Sequence, residues 1–296
     1  MKFCGTYTAL VTPFRRGELD IPAYRWLIEQ QVTAGVDGVV PVGTTGESPT
    51  LTMEEHTQAI QVAIEAVRRS AARVIAGTGS NSTAEAVHLT QEAEKLGAHG
   101  ALLVAPYYNR PSQEGLYRHY REISLSTNLP LILYNIPSRC GVEIDVRTII
   151  HLARECPNIV ALKEAGGSAE RVSQLRGELP DSFTILSGDD SLTLPFLAVG
   201  AEGVVSVASN VIPKQIHQMV HAWKMGQSRL AMQLHHRYSP LFKSLFVETN
   251  PVPVKYALST LHPGKISEEV RLPLCELAES SKVCIRDTLQ SGGLLS

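Results

Sequence analysis

An excess of charge of one sign is missing from this sequence: 27 basic residues stand against 29 acidic ones, a net charge of −2, and the charges are scattered rather than run together. That balance excludes the basic stripe by which a protein holds nucleic acid or an anionic membrane. No apolar run approaches the ~20 residues needed to cross a bilayer. Residues 1–11 also lack the basic start and apolar core of a signal peptide, so a soluble cytoplasmic protein is expected. Cysteine is sparse. Cys4, Cys140, Cys156, Cys275 and Cys284 are odd in number, widely spaced and free of CxxC or Cys/His clusters, which excludes a disulfide framework and a zinc site. No GxGxxG follows the first strand candidate, which argues against a dinucleotide-binding sheet.

What is present is alternation. Short β-branched apolar runs at 8–12, 38–41, 73–76, 100–104, 129–134, 159–162, 184–186 and 203–207 read as eight strands, separated by segments of helical period. The runs are nearly all apolar, as parallel strands buried on both faces require. Asp20 before Ile-Pro-Ala opens a helix as N-cap, and residues 53–68 carry Ile60, Ile64 and Val67 at helical spacing. Glycine signals at Ala34-Gly-Val-Asp-Gly, Leu96-Gly-Ala-His-Gly and Val199-Gly-Ala-Glu-Gly mark helix ends at intervals of one strand–helix unit. The fold class is therefore α/β, a (β/α)8 TIM barrel with a C-terminal helical appendage. We divide the chain into a catalytic barrel at 1–224 and a helical region at 225–296 packed on it, with helices at 214–225 and 227–246.

In such a barrel the site is built at the C-terminal ends of the strands. There stand Gly43-Thr44-Thr45-Gly46-Glu47-Ser48, Pro106-Tyr107-Tyr108-Asn109, Tyr134-Asn135-Ile136-Pro137-Ser138-Arg139, Leu162-Lys163-Glu164 and Ser187-Gly188-Asp189-Asp190. A lysine finishing a buried apolar strand loses hydration unless it is paired or neutral. Lys163 is then either a Schiff-base nucleophile, which needs a neutral amine, or one half of a structural pair with Glu164 or another carboxylate. Gly-Thr-Thr-Gly offers amides and hydroxyls as a cradle for a small carboxylate, or is an ordinary turn. Tyr134 can pass protons or pack as a core aromatic. Arg139 can clamp a carboxylate through two nitrogens or stay solvated.

Taken together and in order, these motifs resemble the dihydrodipicolinate synthase branch of the pyruvate-dependent class I aldolase superfamily, which includes N-acetylneuraminate lyase; the resemblance spans about residues 5–289. It implies Lys163 as the Schiff-base lysine, Tyr134 as the tyrosine that shuttles protons, and Thr44 and Tyr108 as the rest of the relay. Tyr108 would enter the neighbouring subunit's site, which implies a homotetramer built as a dimer of dimers. Thr45 would hold the carboxylate of pyruvate, with Gly188 and Val205 lining the same pocket, and Arg139 would receive the carboxylate of L-aspartate-4-semialdehyde. The lyase branch lacks an arginine at that place. The implied chemistry needs no metal or organic cofactor and feeds diaminopimelate and lysine synthesis.

A second set, Ser48, His56, Asn81, Glu85 and Tyr107, resembles the family's site for L-lysine as feedback inhibitor. On spacing, Asn81 and Glu85 are expected one helical turn apart, and His56 otherwise reads as a helix-surface histidine. Pro49 and Met53 depart from the pattern of lysine-sensitive members. Another departure, beside the substrate channel, is Cys140, where the family commonly has threonine after the arginine; a thiol activated by Arg139 would make the site sensitive to alkylation. Two rival readings are a superfamily member with another aldehyde, such as a 2-keto-3-deoxy-sugar-acid aldolase, and a non-catalytic metabolite-binding barrel.

Overall fold

A computed structural model of the chain describes residues 2–295. Eight strands run parallel: β1 (Gly5–Ala9), β2 (Gly38–Val40), β3 (Arg73–Gly77), β4 (Gly100–Val104), β5 (Leu131–Asn135), β6 (Ile159–Glu164), β7 (Thr184–Ser187) and β8 (Gly203–Ser206). They close into a barrel, β8 pairing back onto β1 with Gly5 opposite Gly203 and Tyr7 opposite Val205. Side chains alternate along a strand. One set, including Tyr7, Val40, Ile75, Leu102, Ile132, Ala161, Leu186 and Val205, fills the barrel; the other packs under the helices in a larger core. The lower end is plugged by Phe3 and Tyr7, edge to face with centroids 6.1 Å apart. Glycine is required there: a Cβ on Gly38 would lie 2.6 Å from the Tyr7 ring and 2.5 Å from the Arg73 carbonyl.

Each strand is followed by a main helix, α1 (Ile21–Thr33), α2 (Met53–Val67), α3 (Thr83–Leu96), α4 (Gln113–Leu125), α5 (Val146–Glu155), α6 (Ala169–Glu178), α7 (Thr193–Ala198) and α8 (Pro213–Lys224), and a single further helical turn at Pro137–Cys140 precedes α5. Their starts follow the capping chemistry. The Asp20 carboxylate accepts from the Ala23 amide, and Thr52 with Glu55 forms a reciprocal capping box on α2. Gly97 ends α3 in the left-handed region at φ 89°. Every expected strand is found, with one shifted: the first is Gly5–Ala9, not 8–12. Beyond Ala9 the chain leaves the ladder, the Val11 amide donating instead to Asn210 Oδ1. The β-branched run misled because the strand starts at Gly5, where a Cβ would lie 2.1 Å from the Asp37 carboxylate, and a Cβ on the facing Gly203 would lie 2.0 Å from the Gly5 carbonyl oxygen.

Three helices follow, α9 (Ser228–Ser244), α10 (Val252–Leu261) and α11 (Glu279–Ser291). α9 packs on α8, and α11 on α9 and α10. The region also grips the barrel's upper face. Lys255 of α10, with no exposure to water, donates to Glu47 Oε1 at 2.6 Å and to the Thr12 carbonyl at 2.9 Å. Between α10 and α11, the Arg271 amide donates to Glu47 Oε2 at 3.0 Å and its guanidinium to Glu55. Both cations face the buried Phe14 ring, each 4.3 Å from its centre.

Candidate active site

Strand alternation decides what Lys163 does. It stands on β6 next to last, two residues after the inward Ala161, so its side chain enters the barrel while that of Glu164 leaves it. The Glu164 carboxylate is spoken for on the outer side: it accepts from Asn135 Nδ2 at 2.9 and 3.1 Å, from the Gly166 amide at 2.6 Å and from Arg171 Nε at 3.0 Å. A Lys163–Glu164 pair is thereby excluded. Lys163 instead lies against Tyr134, which sits beside it in the β5–β6 register, with Nζ 3.8 Å from the centre of the ring. Burial pulls the amine down to about 7; the Arg139 charge acts the same way, and Asp190 opposes both. Gly188 completes the fit. A Cβ there would lie 3.1 Å from Lys163 Cε and 2.8 Å from the Ala165 methyl.

Above the lysine opens a cavity of about 220 Å³, walled among others by Thr44, Ser48, Tyr107, Tyr134, Arg139 and Cys140. This is smaller than the roughly 300 to 1,000 Å³ usual for drug-sized ligands, and it suits metabolites of a few heavy atoms. Lys163 is not on the wall: the Tyr134 ring lies over it. Burial drives the Tyr134 phenol well above its ordinary range, Arg139 and the Thr44 hydroxyl pulling it partly back. The phenol therefore rests protonated.

The loop after β2 is a 3-10 turn, Thr44–Gly46, whose first amides have no acceptor within the turn. Thr45 is buried, its Oγ1 accepting from Asn250 Nδ2 at 3.0 Å. Strain gathers here and in the tyrosine loop. Of the non-glycine residues with positive φ among the described residues, Val42 and Glu47 flank the first turn, and Tyr108 and Arg110 lie in the second. The Asn109 amide donates to the Tyr107 carbonyl at 2.9 Å, making Tyr108, at φ 71°, the centre of a γ-turn. That turn throws Tyr108 outward, 91% exposed and away from this chain's own cavity. Val205 is a buried inner-core residue of β8. Arg139 is exposed at the rim, donating to the Asn250 carbonyl at 3.2 Å.

The second set is only partly drawn together. Ser48 and Tyr107 share the cavity wall with the catalytic candidates. His56 is not a surface residue: it is buried, its Nε2 is 2.9 Å from the Gly77 carbonyl oxygen, and burial lowers its pKa. Asn81 and Glu85 do not share a helical turn, because α3 begins after its N-cap Ser82. Asn81 sits in the preceding loop, where Nδ2 donates to the Tyr107 carbonyl at 3.1 Å, while Glu85 accepts from the Ser80 hydroxyl. Cys140 is also corrected. Burial raises its thiol to about 11 against the opposing charge of Arg139, so the arginine does not activate it.

Two contributors escaped the reading of the sequence, and a third, Asp190, enters it only as part of a strand-end motif with no role of its own. Asp190, in the loop after β7, is buried against the end of β8, accepting from the Ser206 hydroxyl at 2.5 Å and from the amides of Val207 and Ala208 at 3.0 and 2.9 Å. Asn250 and Lys255 come from the helical region. Lys255 carried the signal used for Lys163, a lysine inside an apolar run, and here the structural pairing is the one realised, with Glu47. Nothing in the sequence announces Asn250.

Comparison with known proteins agrees with this geometry. The sequence pattern of the Dihydrodipicolinate synthetase family matches residues 2–291. The 4-hydroxy-tetrahydrodipicolinate synthase of Thermodesulfovibrio yellowstonii is 49% identical over 293 residues, 99% of both chains. The solved structure of the enzyme of that name from Methylacidiphilum fumariolicum superposes with TM-score 0.96 at 54% identity, covering 99% of this chain and 96% of that one. A dihydrodipicolinate synthase from Cyanidioschyzon merolae, solved with lysine bound, superposes with TM-score 0.96 at 43% identity over 99% of each chain. A closed parallel barrel, an inward lysine under a tyrosine and a match along nearly the whole chain lead to one conclusion: the chain belongs to the dihydrodipicolinate synthetase family.

Proposed function

We propose that this chain is a 4-hydroxy-tetrahydrodipicolinate synthase, a lyase that condenses pyruvate with L-aspartate-4-semialdehyde in diaminopimelate and lysine synthesis. The observation that carries the reading is Lys163: buried, unpaired with Glu164, and pulled down to about 7. As a neutral amine it attacks the ketone carbon of pyruvate, and loss of water leaves an iminium. The iminium draws electrons from the adjacent methyl, which gives up a proton through Tyr134, Thr44 and Tyr108 and becomes an enamine. The enamine carbon attacks the aldehyde held by Arg139, and its oxygen takes a proton from the relay. The substrate's own amine then displaces Lys163 from the imine carbon, closing the ring. Thr45 holds the pyruvate carboxylate beside Gly188 and Val205.

The outward aim of Tyr108 supports an assembly in which it completes a neighbour's relay, and we read that assembly as a homotetramer. The lysine-bound relative supports L-lysine as a ligand of the set Ser48, His56, Asn81, Glu85 and Tyr107. Residues 225–296 are an appendage of the 1–224 barrel rather than a second catalytic unit, a division supported by the Lys255–Glu47 pair. A biosynthetic enzyme drawing on pyruvate works in the cytoplasm. Borohydride reduction with pyruvate, followed by intact mass and peptide mapping, tests the reading. One reduced pyruvate per chain on Lys163, lost in Lys163→Arg, is expected; no adduct, or one that survives the substitution, would sink it. Turnover with aspartate semialdehyde rather than sugar aldehydes fixes the acceptor.

A further inference from the structure

Thr45 and Arg139 lie on different loops, after β2 and after β5, yet one residue from the helical region touches both. Asn250 is 5% exposed. Its Nδ2 donates to Thr45 Oγ1 at 3.0 Å, and its main-chain carbonyl accepts from the Arg139 guanidinium at 3.2 Å. We propose that Asn250 is a positioning residue that aims the Thr45 hydroxyl and sets its spacing from Arg139, so that the appendage fixes where the two substrate carboxylates are received. This rests on the roles given above to Thr45 and Arg139.

The direction of the first hydrogen bond is the core of the argument. A hydroxyl has a single hydrogen to donate and lone pairs to accept with. Because Thr45 Oγ1 accepts from an amide N–H, its hydrogen stays free for a carboxylate, the stronger, charge-assisted acceptor. A carboxylate at position 250 would reverse this, taking the threonine hydrogen for itself and repelling the anionic substrate. The anchoring is firm on both sides. Five residues further on, Lys255 ties the same segment to Glu47 and Thr12, next to the turn that carries Thr45.

The test measures Schiff-base trapping against pyruvate concentration, steady-state kinetics and thermal melting for the wild type, Asn250→Asp and Asn250→Ser. The aspartate is isosteric and keeps the packing; the serine is too short to reach Thr45. Half-saturating pyruvate is expected to rise about tenfold or more in Asn250→Asp and less in Asn250→Ser. The KM for the aldehyde and kcat at saturation should change far less, because both variants keep the main-chain carbonyl that holds Arg139. If the wild type traps no pyruvate, the proposed function fails. If it traps pyruvate while Asn250→Asp saturates as the wild type does, the positioning role is overturned. Loss of folding in both variants would overturn it too, since Asn250 would then be structural.

Discussion

With its amine titrating near 7, Lys163 is about half neutral at physiological pH, whereas a solvated lysine would be almost wholly charged. Schiff-base formation with pyruvate should therefore fall as pH drops through about 7 and level off above it, a dependence that stopped-flow borohydride trapping can read. Stability moves with the same proton. The folded pKa, about 7, lies below the value of 10.5 for a free lysine. Folding sheds a proton between the two, so stability rises with pH across that window and the burial penalty is full below it. Lys163→Met should accordingly raise the melting temperature by a few degrees at pH 6 and by less at pH 9; an equal gain at both would contradict the depressed pKa. Tyr134→Phe removes the proton carrier while keeping the ring over the lysine. A loss of kcat of about 10²- to 10⁴-fold is expected, with pyruvate still trapped on Lys163. Cys140 should alkylate slowly, because burial holds its thiol near 11, and mass spectrometry under native conditions would reveal the contrary.

Among the elements, the loop after β2 is held from outside the barrel. Glu47, at φ 54°, would strain its own turn if left alone, yet its two oxygens meet Lys255 and the Arg271 amide in a water-free setting. Removing one partner of such a pair strands a buried charge. Lys255→Met should destabilise the fold by about 3–5 kcal/mol in denaturant titrations, and Lys255→Met combined with Glu47→Gln should recover most of that loss. A double variant as unstable as the single one would mean that packing, not charge, dominates. β6 and β7 meet at a similarly tight place. Gly188→Ala presses a methyl against Lys163 Cε and should reduce trapping more than it lowers the melting temperature.

Over the whole molecule, Tyr108 is the most exposed of the large hydrophobic side chains among the described residues. A tyrosine 91% exposed at positive φ gains nothing from its own core. If it serves a neighbouring site, co-expressed Lys163→Arg and Tyr108→Phe chains, each nearly inactive alone, should regain activity in hybrid assemblies that contain one intact site. Hybrids as inactive as their parents, in assemblies shown by native mass spectrometry to be mixed, would refute action across the interface.

The barrel itself was legible because its rule is local. Parallel strands buried on both faces must be apolar, helices between them must carry a stripe and a cap, and eight such units in a row leave few ways to close. The loops at the strand ends, and with them Lys163, Tyr134, Thr44, Thr45 and Arg139, follow from that closure. What the order of residues could not decide was pairing across the barrel. Lys163 and Lys255 both interrupt apolar runs, and only the tertiary structure gives one a tyrosine face and the other a buried carboxylate. Asn250 lies 205 positions from Thr45, and His56 is buried by contact with β3 rather than by its own helix. Local propensity fixes which residues form an element, whereas the proton on a lysine and the aim of a hydroxyl depend on groups that only closure of the chain brings within 3 or 4 Å.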